Sequence, residues 1–315
     1  MGGNLDPIEA KARNLVADAL SDCEPGDTVT VAVSGGADSL ALALVLSFLA
    51  KESGWNAKAV VIDHGLQADS AAVARIAVEQ LVGLGLDAHS KKVDVAKEGG
   101  LEAAARKARY DYFDSLDSKA ILLAHTLDDQ AETVLLGLGR GSGPRSIAGM
   151  RALNGKYRRP FLTIRRAETE HLCALHKLAA WQDPHNQDPK FRRVRIRNEA
   201  LPLLEEVLGG GVAESLARTA EQVQVDLDYL DELVDQIGLS DDCQFLASYH
   251  PALRSRLLRK LAIAAGAVEL TAVHLRELDR LVTDWRGQGP IQLPGHISVT
   301  RTDSTLRFAP SDMAG

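Results

Sequence analysis

The chain has 315 residues, 45% of them hydrophobic and only 4% aromatic, with a net charge of −7. That is the composition of a globular protein with room for one large domain or two smaller ones, and it does not advertise a nucleic-acid binder. Three scattered cysteines, Cys23, Cys173 and Cys243, make no Cys-x-x-Cys pair, zinc set or disulfide framework, so a reducing cytoplasm is expected. The longest uncharged apolar run, Ser39 to Ala50, is too short to span a bilayer, and the start carries no signal-peptide pattern, so no membrane partner is expected.

In chain order, Ile8 to Leu20 reads as an amphipathic helix. The β-branched run Thr28–Val33 reads as a buried strand, and Leu40–Ala50 as a core helix. Ala57–Ile62, Ala88–Val95 and Lys119–Ala124 are three further strands, separated by helices over about Ser70–Leu84 and Leu101–Leu116. Strands alternating with helices predict an α/β domain with a parallel sheet, whose ligands bind beyond the carboxyl ends of the strands. Ser34, Asp63 and His125 all stand at such ends.

The corner after the first strand reads Ser34-Gly35-Gly36-Ala37-Asp38-Ser39. The glycines permit a tight turn, the amides and the open helix turn make an anion site, and Ser34 and Ser39 add hydroxyl donors. Asp38 suits an N-cap or a ligand for the magnesium that neutralises a bound phosphate. No Gly-Lys-Ser/Thr and no Gly-x-Gly-x-x-Gly is present, which excludes the Walker and dinucleotide loops. At the fourth strand, His125 is followed by Thr126, Asp128, Asp129 and Glu132; Thr126 or Asp128 can cap the next helix. Asp129 and Glu132 lie three apart on one helical face, and with His125 suit a magnesium site or a cationic substrate.

Arg140 and Arg145 flank a Gly-Ser-Gly loop. Arg159–Leu162 reads as a short edge strand, Ile164–Trp181 as a helix and Asp183-Pro184-His185-Asn186 as a turn. Between Arg151 and Ala200 there are 12 Lys/Arg against 5 Asp/Glu, so one face can hold RNA while the whole stays acidic. Arg193 and Arg197 are spaced for one helical face, with Arg192 and Arg195 beside it; a phosphate site and a solvated amphipathic face both fit.

Taken together, these motifs resemble the tRNA(Ile)-lysidine synthetase family of the N-type ATP pyrophosphatases. Ser34–Ser39 resembles the ATP loop, and Ile62-Asp63-His64-Gly65-Leu66 the second-strand motif, with Gln67 where an Arg is common. Glu102–Tyr110 resembles the arginine helix, His125–Gly143 the His-x-x-Asp-Asp-Gln-x-Glu-Thr stretch, and Trp181–Pro202 the Asp-Pro-x-Asn and Arg-x-Arg segment. The resemblance implies an ATP-using ligase that adenylates the wobble cytidine of a CAU-anticodon tRNA(Ile) and joins it to free L-lysine. It implies that Ser34, Gly35, Gly36, Ala37, Asp38, Ser39, Asp63 and His64 bind ATP, with Mg2+ on Asp38 and Asp129. Asp38, His125, Asp129, Glu132, Arg106 and Arg109 would carry the chemistry, and Arg195, Arg197 and Arg140 would hold the tRNA or the intermediate. A tRNA thiolase or amidating synthetase of the same fold, and a nucleotide sensor of the universal-stress type, are the alternatives; the first lacks its cysteines here, the second needs no carboxylates.

Residues 1–208 are expected to form the catalytic domain and 209–315 a mainly helical domain. A long helix over 212–237 links them, followed by helices around Pro251–Ala264 and Thr271–Trp285 and a terminal β-ribbon. The ribbon's Leu293-Pro294-Gly295 resembles the family's smaller C-terminal domain. The further domain of the longest members is not expected. The apolar stripe of 212–237 fits a homodimer or packing within the chain.

Overall fold

The computed structural model describes residues 5–63, 65, 70–93, 101–141, 143–182 and 188–311, with the backbone alone for 101–103. His64, Val95 and the turn expected at 183–186 lie outside the described residues. The chain divides into two compact units, one of residues through Leu136 with Gly149–Arg218, the other of Gly137–Ala148 with Thr219 onward. The expected 208/209 boundary lies ten residues ahead of that division, which falls inside a continuous helix.

In the first unit, α1 (Pro7–Ala19), β1 (Thr28–Val33), α2 (Ala37–Ser53), β2 (Asn56–Asp63), α3 (Ser70–Gly83) and β3 (Asp87–Lys92) follow in order. Then come α4 (Leu101–Ser115), β4 (Ala120–Leu122) and α5 (Leu127–Arg140). Two short strands, β5 (Leu153–Asn154) and β6 (Tyr157–Arg158), complete a six-stranded sheet of order β3-β2-β1-β4-β6-β5, parallel except for β5. Val31 stands opposite both Ala59 and Leu122, so β1 is central. The chain leaves β1 for β2 on one side and returns to β4 on the other. The strand order therefore reverses between β1 and β4, where a parallel sheet opens a crevice.

Leu40 to Leu46 are all buried, so α2 is apolar around its whole circumference. It packs with β1, α1 and α3, and with Phe161, Ile164 and Leu172, in the main core. On the opposite face α4 packs Phe113 against Val60, Ile121 and Tyr157. Helices on both faces explain why the central strands are continuous apolar runs without alternation.

Two elements differ from expectation. Arg159–Leu162 is not an edge strand: Tyr157–Arg158 pair with β4, and Pro160–Thr163 form a 3-10 turn. Pro160 has no amide to give a ladder, so pairing stops before it. The helix expected over Ile164–Trp181 spans only Arg166–Leu175, here α7. Lys177 adopts φ 55°, and the amides of Lys177 and Leu178 return to Ala174 O (3.2 Å) and Cys173 O (2.8 Å). That paired closure ends a helix even without glycine. After α8 (Arg192–Arg195), one wide π turn over Ile196–Ala200 leads into α9 (Leu201–Leu208).

The second unit holds α6 (Pro144–Ile147), the later part of α10 (Val212–Ile237), α11 (Cys243–Ala247), α12 (Pro251–Ala264) and α13 (Ala272–Thr283). It ends in an antiparallel ribbon of β7 (Ile291–Leu293), β8 (Ile297–Thr302) and β9 (Thr305–Pro310). Val234, Leu246, Leu257, Leu278, Val299 and Leu306 share its core. The α10 stripe is occupied at both ends: Ala213 and Leu216 pack with Leu127 and Leu201, and Val234 and Ile237 join the second core. Among the described residues no helix is long and apolar enough to cross a membrane.

Gly137 on α5 lies under α6, where an added Cβ would sit 1.7 Å from the Ser146 carbonyl oxygen. Backbone cannot yield as a side-chain tip can. Gly137→Ala is therefore expected to destabilise the protein by roughly 3 kcal/mol or more, read as a fall in denaturation midpoint.

Candidate active site at the carboxyl edge of the sheet

The corner after β1 is built from its own side chains. Gly35 has φ 87°, a left-handed conformation that favours glycine. Ser39 Oγ accepts from the Ser34 amide at 3.1 Å and donates to Gly36 O at 2.9 Å, while Ser34 Oγ lies 3.4 Å from the Gly36 amide. Gly36 is the N-cap and offers no side chain, so the first-turn amides of α2 are left for an anion. Asp38 is thus not the cap: it is the second residue of α2 and reaches sideways, accepting from Thr169 Oγ1 at 2.5 Å with Arg166 Nε 3.5 Å away.

At the end of β4, Thr126 and Asp129 cap α5 reciprocally. The Thr126 amide and hydroxyl donate to Asp129 Oδ2 at 2.8 and 3.0 Å, and the Asp129 amide lies 3.4 Å from Thr126 Oγ1. Asp129 Oδ1 accepts from Arg166 Nη2 at 2.9 Å. Glu132, one turn on and 1% exposed, accepts from Arg197 Nε at 2.7 Å and lies 4.0 Å from Arg166. Three carboxylates from α2 and α5 therefore converge on Arg166, with Arg197 closing the far side. Burial raises the Asp38 and Glu132 carboxyls above their usual range, against the pull of their arginines. Burial pushes Asp129 up as well, but Arg166, Thr126 and His125 outweigh it and hold it low.

The other wall is cationic. Burial is the main cause that lowers the His125 imidazole to about 4; Arg159, Arg109 and Arg106 add to it, and only Asp129 opposes. Among the described residues, His125 Nδ1 and the Nε atoms of Arg109 and Arg159 are buried without a hydrogen-bond partner. Arg106 and Arg109 lie over the Tyr110 ring at 5.0 and 5.6 Å. Between the walls is a cavity of ≈ 340 Å³, lined by Ser34, Asp38, Ser39, Asp63, Arg109, His125 and Trp181 over an apolar floor that includes Val61, Ile62 and Leu123. Asp63 Oδ1 accepts from the Gly65 amide at 2.8 Å, which turns the chain away from β2.

Not every predicted residue meets at this edge. Arg195 is exposed and pairs with Glu199, one turn on along its own segment. Arg197, two residues later and so on the opposite side of the helix, turns inward to Glu132. Arg140 is exposed and belongs to the second unit. Arg166, Thr169 and Trp181 were not assigned to the site from sequence. In the sequence Arg166 is one of two adjacent arginines near a predicted helix start, a pattern that surface helices share. Its neighbour Arg165 donates to Asp128 at 3.0 Å and to Glu214 at 2.8 Å and so anchors α7 to α5 and α10.

An apolar-floored cavity beside a glycine corner at the strand-order reversal is the geometry of a nucleotide-binding α/β domain. A PP-loop domain model matches residues 5–204, and a TilS substrate binding domain model matches residues 242–307. The tRNA(Ile)-lysidine synthase of Thermobifida fusca is 47% identical over 320 residues, covering 97% of this chain and 98% of that one. Those of Leifsonia xyli and Mycolicibacterium paratuberculosis are 48% and 51% identical, covering 91% and 88% of this chain and the same shares of their own. The chain belongs to the tRNA(Ile)-lysidine synthase family. Among solved structures, the U34-tRNA thiolase NcsA from Methanococcus maripaludis shares the fold, with a TM-score of 0.58 at 18% identity over 69% of this chain and 79% of that one.

His125 titrates near 6.5 when unfolded and at about 4 here, so between those values the unfolded chain holds the extra proton. Stability contributed by this residue is therefore lost as pH falls through that window. Between pH 7 and pH 5 the protein should lose up to about 2 kcal/mol more than its His125→Asn variant, measured by urea denaturation.

Proposed function

We propose that the chain makes lysidine at the wobble cytidine of a tRNA(Ile) with a CAU anticodon. The C2 oxygen of the cytidine attacks the α phosphorus of ATP and pyrophosphate leaves. The side-chain amine of free lysine then attacks carbon 2, and AMP leaves with the oxygen. The observation that supports this most is the convergence of Asp38, Asp129 and Glu132 on Arg166, beside the cavity that Asp38 and His125 line at the glycine corner. A phosphate-binding corner alone suits many nucleotide proteins. A corner with a buried acidic cluster suits one that also receives a cationic nucleophile.

In this reading Ser34, Gly35, Gly36, Ala37 and Ser39 present amides and hydroxyls to the phosphates. Asp63 and His64 border the nucleotide. Asp38 and Asp129 suit magnesium, which binds through one or two carboxylates together with substrate phosphates. When bound, the ion would draw negative charge from the phosphate oxygens. Asp129 and Glu132 attract the lysine ammonium and hold it at the rim. His125, neutral at physiological pH, can accept a proton or a hydrogen bond at Nδ1. Arg106 and Arg109 face the charge of the adenylated intermediate. The cytidine leaves its stack to reach them, as single-stranded bases in loops can. Arg195, Arg197 and Arg140 are assigned to the tRNA, Arg197 from inside the site. A tRNA substrate and free lysine place the reaction in the cytoplasm.

The decisive assay incubates the protein with ATP, labelled lysine and bulk bacterial tRNA. Label that enters tRNA and resists mild base is the expected result; label released by base would mean ordinary aminoacylation, and no label would overturn the reading. In the same assay Asp38→Ala should abolish tRNA- and lysine-dependent pyrophosphate release. An unaltered rate would remove Asp38 from the site.

Arg195→Ala should raise the tRNA KM by roughly threefold to tenfold and flatten its dependence on salt, with the ATP KM unchanged. Equal losses for both substrates would mean that Arg195 does not touch RNA.

A further inference from the structure

The five residues from Leu178 to Gln182 cross the outside of the glycine corner without regular structure, yet are tied down in three places. The Leu178 amide donates to Cys173 O at 2.8 Å, at the end of α7. The Ala179 amide donates to Gln80 Oε1 at 2.8 Å, and Gln80 Nε2 donates back to Ala179 O at 3.1 Å, so one side chain of α3 clamps both polar groups of that residue. The Trp181 amide donates to Gly35 O at 2.9 Å.

Gly35 is the residue that must hold a left-handed conformation for the corner to form, and its carbonyl is fixed from outside by Trp181. The two also touch: the site of a Cβ on Gly35 would lie 3.9 Å from Trp181 Cβ, and that on Gly36 4.0 Å from Trp181 O. Trp181 also lines the cavity, beside Ser34, Asp38 and Ser39. The strap therefore meets both the backbone that would hold the phosphates and the space the nucleotide would fill.

We propose that residues 178–182 form a brace that preorganises the ATP corner, with Trp181 as the positioning residue and Gln80 as its remote anchor. The proposal rests on the reading of that corner as the ATP site. A loop that is ordered before the ligand arrives loses less freedom on binding, so the brace acts on affinity. Its three ties go to Cys173, Gln80 and Gly35, none of which is assigned to the cytidine or the lysine. Its effect belongs in the ATP KM and not in kcat.

The chain has 3 tryptophans, so replacing Trp55 and Trp285 by Phe leaves Trp181 as the sole reporter. In the full-length W55F/W285F protein, adding Mg-ATP without tRNA or lysine should shift or quench the emission along a saturating curve. W181A should raise the ATP KM about tenfold with kcat within about twofold, and W181F should recover most of that affinity. Gln80→Ala should raise the same KM about threefold through one lost clamp, and stays informative if W181A fails to fold. Equilibrium dialysis of wild type with labelled ATP separates the two readings. No binding would remove the ATP site itself. Binding with silent Trp181 emission, an unchanged KM in Gln80→Ala, or a loss confined to kcat would overturn the brace.

Discussion

The structure depends on one tight corner. The chain leaves the central strand β1 and must enter a fully buried helix, α2, within three residues. Only a left-handed residue at Gly35 turns it sharply enough, and glycine takes that conformation without a Cβ penalty. Because α2 is apolar all round, it cannot shift toward water to relieve the corner. The serine hydroxyls tie the loop to itself and the Trp181 amide ties it to the strap. Backbone amides are thereby aimed outward at the one point where the sheet opens a crevice.

Around that corner the charges are sorted into two walls. Three carboxylates lie close together, which burial alone would punish severely; an isolated buried charge costs several kcal/mol. Arg166 and Arg197 compensate them, and the Thr126 cap and Thr169 hydroxyl take the remaining lone pairs. A buried network of this kind contributes little net stability, but it fixes where each carboxylate points. The facing wall has the opposite character. His125 is kept uncharged by burial first and by Arg159, Arg109 and Arg106 beside it, and several buried nitrogens of this wall have no partner among the described residues. An acidic wall suits a cation and a basic wall suits phosphate, and a ligase joining an amine to a nucleotide needs both.

The second unit follows a different logic. Its helices pack around a small core to which the β-ribbon adds Leu293, Ile297, Val299 and Leu306. Arginines finish the job by satisfying backbone and carboxylates: Arg301 donates to Leu281 O at the end of α13, and Arg254 pairs with Asp279 at 2.6 Å. Arg145 holds Asp231 through two bonds, which secures the loop after Gly137.

Local sequence determined the elements whose patterns are long and pure. The buried strands, the all-apolar α2, the 26-residue α10 and the terminal ribbon are each written in contiguous residues, and the ordered motifs carried the family. Residues at strand ends were legible as site candidates because a parallel sheet sends all its carboxyl ends to one edge. The termination of α7 at Lys177 was hidden, since its closing bonds use backbone that any residue supplies. Arg195 and Arg197 were both assigned to the tRNA or the intermediate; two residues apart they leave the helix on opposite sides, and only the fold shows that one faces solvent and the other Glu132. Arg166 was concealed for the same kind of reason: its partners Asp38 and Asp129 are 128 and 37 residues away in sequence. The sequence by itself determined which chemical groups the protein owns and the sheet edge they serve. Only the tertiary structure decided which charges pair, because pairing is set by distance through space and a linear pattern carries no measure of it.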